Sequence, residues 1–243
     1  MPYNDLRDFL QLLEKRGLLH RIKVEVDPVL EIAEITDRMC KSLQGGKALF
    51  FEKVKDSEIP VVTNIFGSFE RMCLALEVQC LDDVGKRIEK LLNQIPPKTF
   101  KEKIKALFEI IEINKYIPKL VRTAPCQEVI NHEPQLSRLP ILKTWPKDGG
   151  RFITLPMVFT RDPETGKQNC GMYRMHIYDE KTTGMHWHIH KDGAVHFRKY
   201  KELGKRMPVA VAIGSDPAVI YSSTAPLPYG VDEMVFAGFL RKK

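Results

Sequence analysis

At 243 residues, 43% hydrophobic and 28% charged, the chain can bury one or two cores and has the composition of a globular protein. No stretch approaches the ~20 apolar residues that span a bilayer, and the polar start Met1-Pro2-Tyr3-Asn4-Asp5 is no secretory leader, so a cytoplasmic protein with no transmembrane segment is expected. A net charge of +7 raises nucleic-acid binding, but the basic clusters Lys98–Lys105 and Arg198–Arg206 read better as solvated helix faces than as stacking platforms, and no nucleic-acid partner is expected.

In chain order, Leu6 to Leu19 has helical spacing, with Asn4 and Asp5 as caps and Gly17 as a stop. His20 to Val26 alternates, with Ile22, Val24 and Val26 predicted on one face of a half-buried strand. Asp27-Pro28 predicts the start of a second helix, ended by Gly45-Gly46. Strands follow at Ala48 to Phe51 and Pro60 to Ile65, then helices at Ser68 to Leu76 and Val84 to Leu92. This order predicts an α/β unit over residues 1–120, with a linker-like stretch from Ile95 to Pro125.

Beyond Pro125 the pattern becomes short apolar runs separated by Gly and Pro. Strands are predicted at Phe152 to Thr160, Gly171 to Tyr178, Val209 to Ile213 and Ala218 to Tyr221, giving an antiparallel sheet or barrel over residues 121–243. Asp232 to Leu240 reads as a helix. The five cysteines are scattered with no CxxC pair, which argues against a zinc knuckle or a disulfide framework.

Three clusters carry chemistry. Five of the seven histidines fall between residues 176 and 196. On a strand, His186, His188 and His190 would share one face, where they either ligate a metal or serve as satisfied core residues. The second cluster opens with the turn Asp162-Pro163-Glu164-Thr165-Gly166 and continues through Asn169 to Arg174. A regular strand would send Asn169 and Arg174 to opposite faces, and a bulge at Gly171 would bring them together. The third runs from Gly214 through Ser222 and Ser223 to Glu233, an acid on an apolar segment. Glu233 is either an N-terminal helix charge or a metal ligand. No GxGxxG or Walker loop is present, which disfavours a Rossmann or P-loop nucleotide site.

GGRFITLP (149–156), TRDPETGKQNCGMYRMH (160–176), TGMHWHIHKDGA (183–194), PVAVAIGSDPA (208–218) and TAPLPYGVDEMVFAGFLR (224–241), with DLRDFLQLLEKRGLLHRI (5–22) at the start, resemble the UbiD family of decarboxylases. The resemblance implies an α+β protein: an N-terminal α/β domain, then a partial split β-barrel of flavin-reductase type that holds prenylated FMN. It implies that Asn169, His190 and Glu233 hold a divalent ion, typically Mn2+, at the cofactor phosphate. It places Met172, Tyr173, Arg174, His186, Trp187, His188, Lys191 and Asp192 in cofactor-contacting segments, and Ser222 and Ser223 near a potassium site. Arg174 matches the catalytic arginine, able to hold a substrate carboxylate in a bidentate grip.

The implied reaction is non-oxidative decarboxylation of an aromatic or α,β-unsaturated acid, with 4-hydroxy-3-polyprenylbenzoate of quinone biosynthesis as the nearest substrate. A flavin prenyltransferase would supply the cofactor. Family members are considerably longer, and their acidic proton donor and main dimer contact lie beyond FAGFLR. The chain is therefore expected to be an N-terminal portion, completed by a homo-oligomer or a C-terminal companion chain. The alternative is a non-catalytic flavin-binding subunit of a multi-subunit carboxylase.

Overall fold

The structure, a computed structural model, describes residues 3–92 and 116–242. The Lys98–Lys105 cluster and most of the linker-like stretch lie outside those residues.

Helix α1 (Leu6–Lys15) begins where Asp5 accepts a hydrogen bond from the Asp8 N–H at 2.9 Å, and it buries Phe9 and Leu13. Each such side chain, taken fully from water, contributes about 2 kcal/mol. Strand β1 (Leu19–Val26) pairs in parallel with β2 (Ala48–Val54), which pairs antiparallel with β3 (Val61–Thr63). Of the expected face, Ile22 and Val26 pack into one core cluster, but Val24 does not join them. The β1–β2 register shifts between Ile22 and Glu25, and Val24 turns outward there, 69% exposed. A local irregularity of this kind displaces a side chain from its face, which spacing alone does not reveal.

Helix α2 (Glu31–Cys40) starts three residues after Pro28, because Leu30 takes a left-handed φ of 70° as its N-cap and Val29 bridges to Lys143. Helices α3 (Phe69–Ala75) and α4 (Asp82–Leu92) occupy the expected places, α3 capped by Ser68.

The second half holds β4 (Phe152–Ile153), β5 (Met157–Arg161), β6 (Gln168–Met172), β7 (Met175–Ile177), β8 (Thr183–Met185) and β9 (Ala210–Ala212). Helices α5 (Asp192–Glu202), α6 (Pro217–Ser222) and α7 (Glu233–Arg241) complete it. Two antiparallel sheets form, in the orders β4-β7-β8 and β6-β5-β9. Both long predicted strands are corrected. The run 152–160 breaks before Met157, where Pro156 has no N–H for a ladder, and its halves join different sheets. The run 171–178 breaks at Tyr173–Arg174, again passing from one sheet to the other.

The strand expected at Ala218 to Tyr221 is helix α6: Asp216 accepts from the Ala218 N–H at 2.7 Å, and Pro217 occupies the first turn. The protein is α+β, but its sheets are small and none of them closes into a barrel among the described residues.

Both halves share a core. Leu76 and Val84 pack with Ala218 and Leu240, joining α3 and α4 to α6 and α7. Leu142 packs on the Val26, Ile32 and Phe51 cluster. Among the described residues no helix is long and apolar enough to cross a membrane.

Candidate functional site

The break at Tyr173–Arg174 builds the site. Strand β6 pairs regularly with β5, Thr160 opposite Asn169 and Val158 opposite Gly171, so no bulge forms at Gly171. Asn169 points inward at 4% exposure, whereas Arg174 lies exposed beyond the strand end with its guanidinium 4.3 Å over the Phe152 ring. Among the described residues no hydrogen bond joins the two.

Tyr173 folds back over its own strand. A Cβ on Gly171 would collide with its ring, and a Cβ on Gly193 would lie 2.8 Å from its hydroxyl, so both glycines are needed for this packing. Tyr173 Oη accepts from the Gly193 N–H at 2.9 Å, and Trp187 meets the ring edge-on at 4.9 Å. Burial raises the phenol pKa, opposed by the Gly193 N–H and by the neighbouring Asn169 amide. The Asn169 Nδ2 atom is buried without a partner in hydrogen-bonding geometry.

Glu233, the first residue of α7, is 6% exposed, and its Oε2 accepts from the Cys170 N–H at 2.7 Å. Burial pushes its carboxyl up; backbone N–H donors oppose this, and the charges of Asp232 and Asp192 raise it further. Cys170 itself is pushed up to about 12, first by burial and then by Glu233, so it is no thiolate nucleophile at neutral pH. Asn169, Tyr173, Asp192 and Glu233 therefore share one neighbourhood: a buried amide, a buried phenol and a cluster of negative charge.

His190 is exposed, in the turn that enters α5, and among the described residues no hydrogen bond or ion pair joins it to Asn169 or Glu233. The expected histidine face is corrected too. Strand β8 ends at Met185, and the Lys191 N–H closes a turn on the His188 carbonyl at 3.0 Å, so His186, His188 and His190 share no strand. The His186 and His188 rings stand 5.3 Å apart. Among the described residues, no three His, Cys, Asp or Glu side chains gather closely enough to hold a metal.

Lys191 reaches back to the Met172 carbonyl at 3.2 Å. Met172 also lines an apolar, partly open pocket, together with Phe66, Met72, Leu155, Tyr221 and Thr224. The hydroxyls of Ser222 and Ser223 donate within α6, to Ala218 O and Ile220 O at 2.8 and 2.7 Å. The Ser223 main-chain oxygen accepts from the Met172 N–H at 3.1 Å, tying α6 to β6.

A buried network escaped the sequence reading. Asp162, 2% exposed, accepts from Lys199 Nζ at 2.8 Å and from Tyr229 Oη at 2.7 Å. Burial alone would raise its carboxyl, but these donors and the N–H groups of Glu164 and Thr165 hold it far below the usual carboxylate range. Beside it, Thr160 Oγ1 and His196 Nδ1 are hydrogen-bonded at 2.9 Å, and burial lowers the imidazole pKa. The Asp-Pro-Glu-Thr-Gly turn was legible, yet nothing local said that its aspartate is buried.

Comparison with known proteins agrees with this architecture. Residues 119–243 match the 3-octaprenyl-4-hydroxybenzoate carboxy-lyase Rift-related domain of UbiD, and residues 10–91 match the N-terminal domain of the same family. An uncharacterized protein of Archaeoglobus fulgidus is 52% identical over all of this chain and 50% of its own length. One of Aquifex aeolicus is 50% identical over 99% of this chain and 50% of its own. Vanillic acid decarboxylase of Sedimentibacter hydroxybenzoicus superposes with a TM-score of 0.81 at 31% identity, over 98% of this chain and 48% of that one. An evolved dimeric form of the UbiD-class enzyme HmfF from Pelotomaculum thermopropionicum, in complex with prenylated FMN, gives 0.80 at 30% identity, over 98% and 51%. The chain belongs to the UbiD family. It spans about half the length of the relatives it matches.

Proposed function

We propose that this chain supplies the flavin-binding part of a prenylated-FMN-dependent carboxy-lyase, with the cofactor phosphate held through a divalent ion by Asn169, His190 and Glu233. The observation that carries this reading is the pair Asn169 and Glu233. A buried amide lies in the neighbourhood of a buried carboxylate whose named charged neighbours are acidic. Buried negative charge is costly unless a cation compensates it. A carboxylate with one backbone bond to Oε2 retains lone pairs for a metal, and an amide oxygen is a suitable hard ligand. His190, on an exposed turn beside Asp192, would complete the set, with Mn2+ as the expected ion.

Around that anchor, Tyr173, Trp187 and Asp192 form the wall, with Met172, Lys191, His186 and His188 at its rim. Ser222 and Ser223 would offer oxygens to K+. Each hydroxyl donates its proton within α6 and keeps its oxygen lone pairs for the ion. When bound, the cofactor would supply the electron sink for loss of carbon dioxide. Arg174, exposed and steadied on Phe152, would hold the substrate carboxylate in a two-pronged grip. The apolar cavity beside Met172 would take the ring or unsaturated tail of an aromatic acid, and a 4-hydroxy-3-polyprenylbenzoate of quinone biosynthesis is the proposed substrate.

Cofactor binding is the part of this reading that the residues here carry. Decarboxylation is proposed for the whole protein, as a cytoplasmic homo-oligomer or with a companion chain, served by a flavin prenyltransferase. The division near residue 120 and the completion of the sheets into a split barrel belong to the same proposal. Titration of the protein with Mn2+ and FMN, followed by flavin fluorescence, tests it. Asn169→Ala and Glu233→Ala are expected to weaken metal and flavin binding together, and full retention of both ligands in both variants would refute the site.

A further inference from the structure

We propose that Asp162 is a positioning residue, whose buried carboxylate, through Lys199 and Tyr229, locks together the three segments that carry Asn169, His190 and Glu233. The inference rests on the reading that those three residues serve one ion, and it assigns the element that sets their spacing.

The two oxygens of Asp162 divide the work. Oδ1 accepts from the backbone N–H groups of Glu164 and Thr165 at 2.9 and 3.4 Å, which shapes the β5–β6 turn. An Asx turn needs no more than this, and such turns are usually solvated. Oδ2 goes further, taking Lys199 at 2.8 Å and Tyr229 at 2.7 Å. Each contact leads to a different ligand-bearing segment. The turn itself opens β6, on which Asn169 stands. The hairpin is closed from Asp162, whose N–H donates to the Lys167 carbonyl at 2.9 Å. Lys199 lies two turns along α5 from Asp192, and a helix is stiff enough to carry that anchor to its start, where the His190 turn enters. Tyr229 precedes Glu233 by four residues, with a tight turn between them in which the Val231 N–H donates to the Pro228 carbonyl at 3.1 Å.

His196, one helical turn before Lys199 and on the same face, adds a second tie from α5 to β5 through Thr160 at 2.9 Å. Glu164 also accepts from Lys199, at 2.6 Å, but it is exposed, so the buried end of the contact is Asp162. Burying an ion pair earns little net stability compared with an apolar replacement of the same shape. It does fix geometry, because a carboxylate with four donors has one arrangement that satisfies it. A loose version of this hub would leave Asn169 and Glu233 in place on their own elements but at variable separation.

Two variants and one rescue test the inference in the full chain. Lys199→Met keeps most of the side-chain length and removes the charge, Tyr229→Phe removes one hydroxyl, and Lys199→Arg restores a cationic donor. Mn2+ affinity is measured by titration, and amide hydrogen exchange is followed at Cys170, which bonds Glu233, and at Gly193, which bonds Tyr173. The expected result is at least a tenfold rise in the Mn2+ Kd in both loss variants, as supporting residues around metal ligands typically give. Faster exchange at both amides and substantial recovery in Lys199→Arg should accompany it. Unchanged Kd and exchange in Tyr229→Phe and Lys199→Met would overturn the proposal, as would a Lys199→Arg protein as weak as the methionine variant. If Lys199→Met fails to fold, Tyr229→Phe decides the matter. If the wild-type protein binds no Mn2+, the metal reading fails by itself, and exchange at the two amides alone judges whether Asp162 positions these segments.

Discussion

The Cys170 N–H donates to Glu233 Oε2 at 2.7 Å, so the strand that bears Asn169 is bonded directly to the first residue of the last helix. The bond brings together positions far apart in the chain and places a carboxylate where burial opposes its charge. Glu233→Gln keeps an acceptor for Cys170 while removing that charge. The metal-free variant is expected to be more stable than the wild type by about 1 kcal/mol, the order of gain that single stabilising substitutions give, because burial opposes the charge it removes. It should also lose Mn2+ binding. Thermal melts in chelator and a metal titration check the two halves. A less stable variant would mean that Glu233 serves the fold rather than a ligand.

Arg174 stands apart from that buried group. It is exposed, and its packing partner is Phe152 at 4.3 Å, a contact worth about 0.5–1 kcal/mol. Arg174→Ala is therefore expected to keep its melting temperature within a few degrees and to retain metal and flavin. Decarboxylation by the whole protein should fall by roughly 100-fold or more, since a misplaced carboxylate loses its reactive orientation. Arg174→Lys should restore little, because a point charge cannot reproduce a planar fork. Loss of flavin in Arg174→Ala would move this residue from chemistry to cofactor binding.

The sequence made some of this visible and hid the rest for identifiable reasons. Helices α1, α3 and α7 were legible because Asp5, Ser68 and Asp232 are capping residues next to a helical period. Helix α6 carries the same signal in Asp216-Pro217, but the short apolar run Ala218 to Tyr221 has the length and composition of a buried strand. The long strands failed where the chain leaves one sheet for another. Period-two alternation cannot register a change of partner, and Tyr173–Arg174 is such a point. The histidine run looked like a strand face because His186, His188 and His190 alternate, yet a turn and a helix start interrupt it. The Asp162 hub was out of reach: its partners lie 37 and 67 residues away, and only packing joins them.

Asp162 also predicts an acid limb in the stability profile. Its carboxyl is held well below the ordinary value of 3.8. The folded state therefore binds this proton less readily than the unfolded state. The stabilisation is complete above that value and is lost as pH falls through it toward the folded pKa. The groups facing it are Lys199 from α5, Tyr229 from the loop before α7, and Glu164 of its own turn, with His196 nearby. His196, lowered by burial, acts in the same direction nearer neutrality, since the unfolded chain takes up its proton first. Asp162→Asn is expected to cost on the order of 2 kcal/mol at pH 7. Between pH 4 and 2 its stability should change less with pH than that of the wild type. Urea unfolding across that range provides the comparison, and parallel curves would rule out the assigned role.

Arg241 closes the molecule at its other end. It stands at the end of α7 with 5% of its side chain exposed, and its guanidinium lies 3.2 Å from both Glu77, just beyond α3, and Asp216, the cap of α6. It also donates to the Tyr3 carbonyl at 2.8 Å and lies 4.3 Å over the Tyr3 ring. One planar fork thus serves the start of the chain, the N-terminal unit and two C-terminal helices. Arg241→Met preserves much of the volume but leaves two partly buried carboxylates facing each other without their cation. The expected cost is about 3 kcal/mol, because breaking a buried pair strands the remaining charge. Adding Glu77→Gln should return part of that loss, since one of the stranded charges is then gone. Urea denaturation reads both effects as shifts in midpoint at constant slope. If Arg241→Met unfolds at the wild-type midpoint, these contacts do not hold the two halves together, and the shared Leu76, Val84 and Leu240 core does so alone.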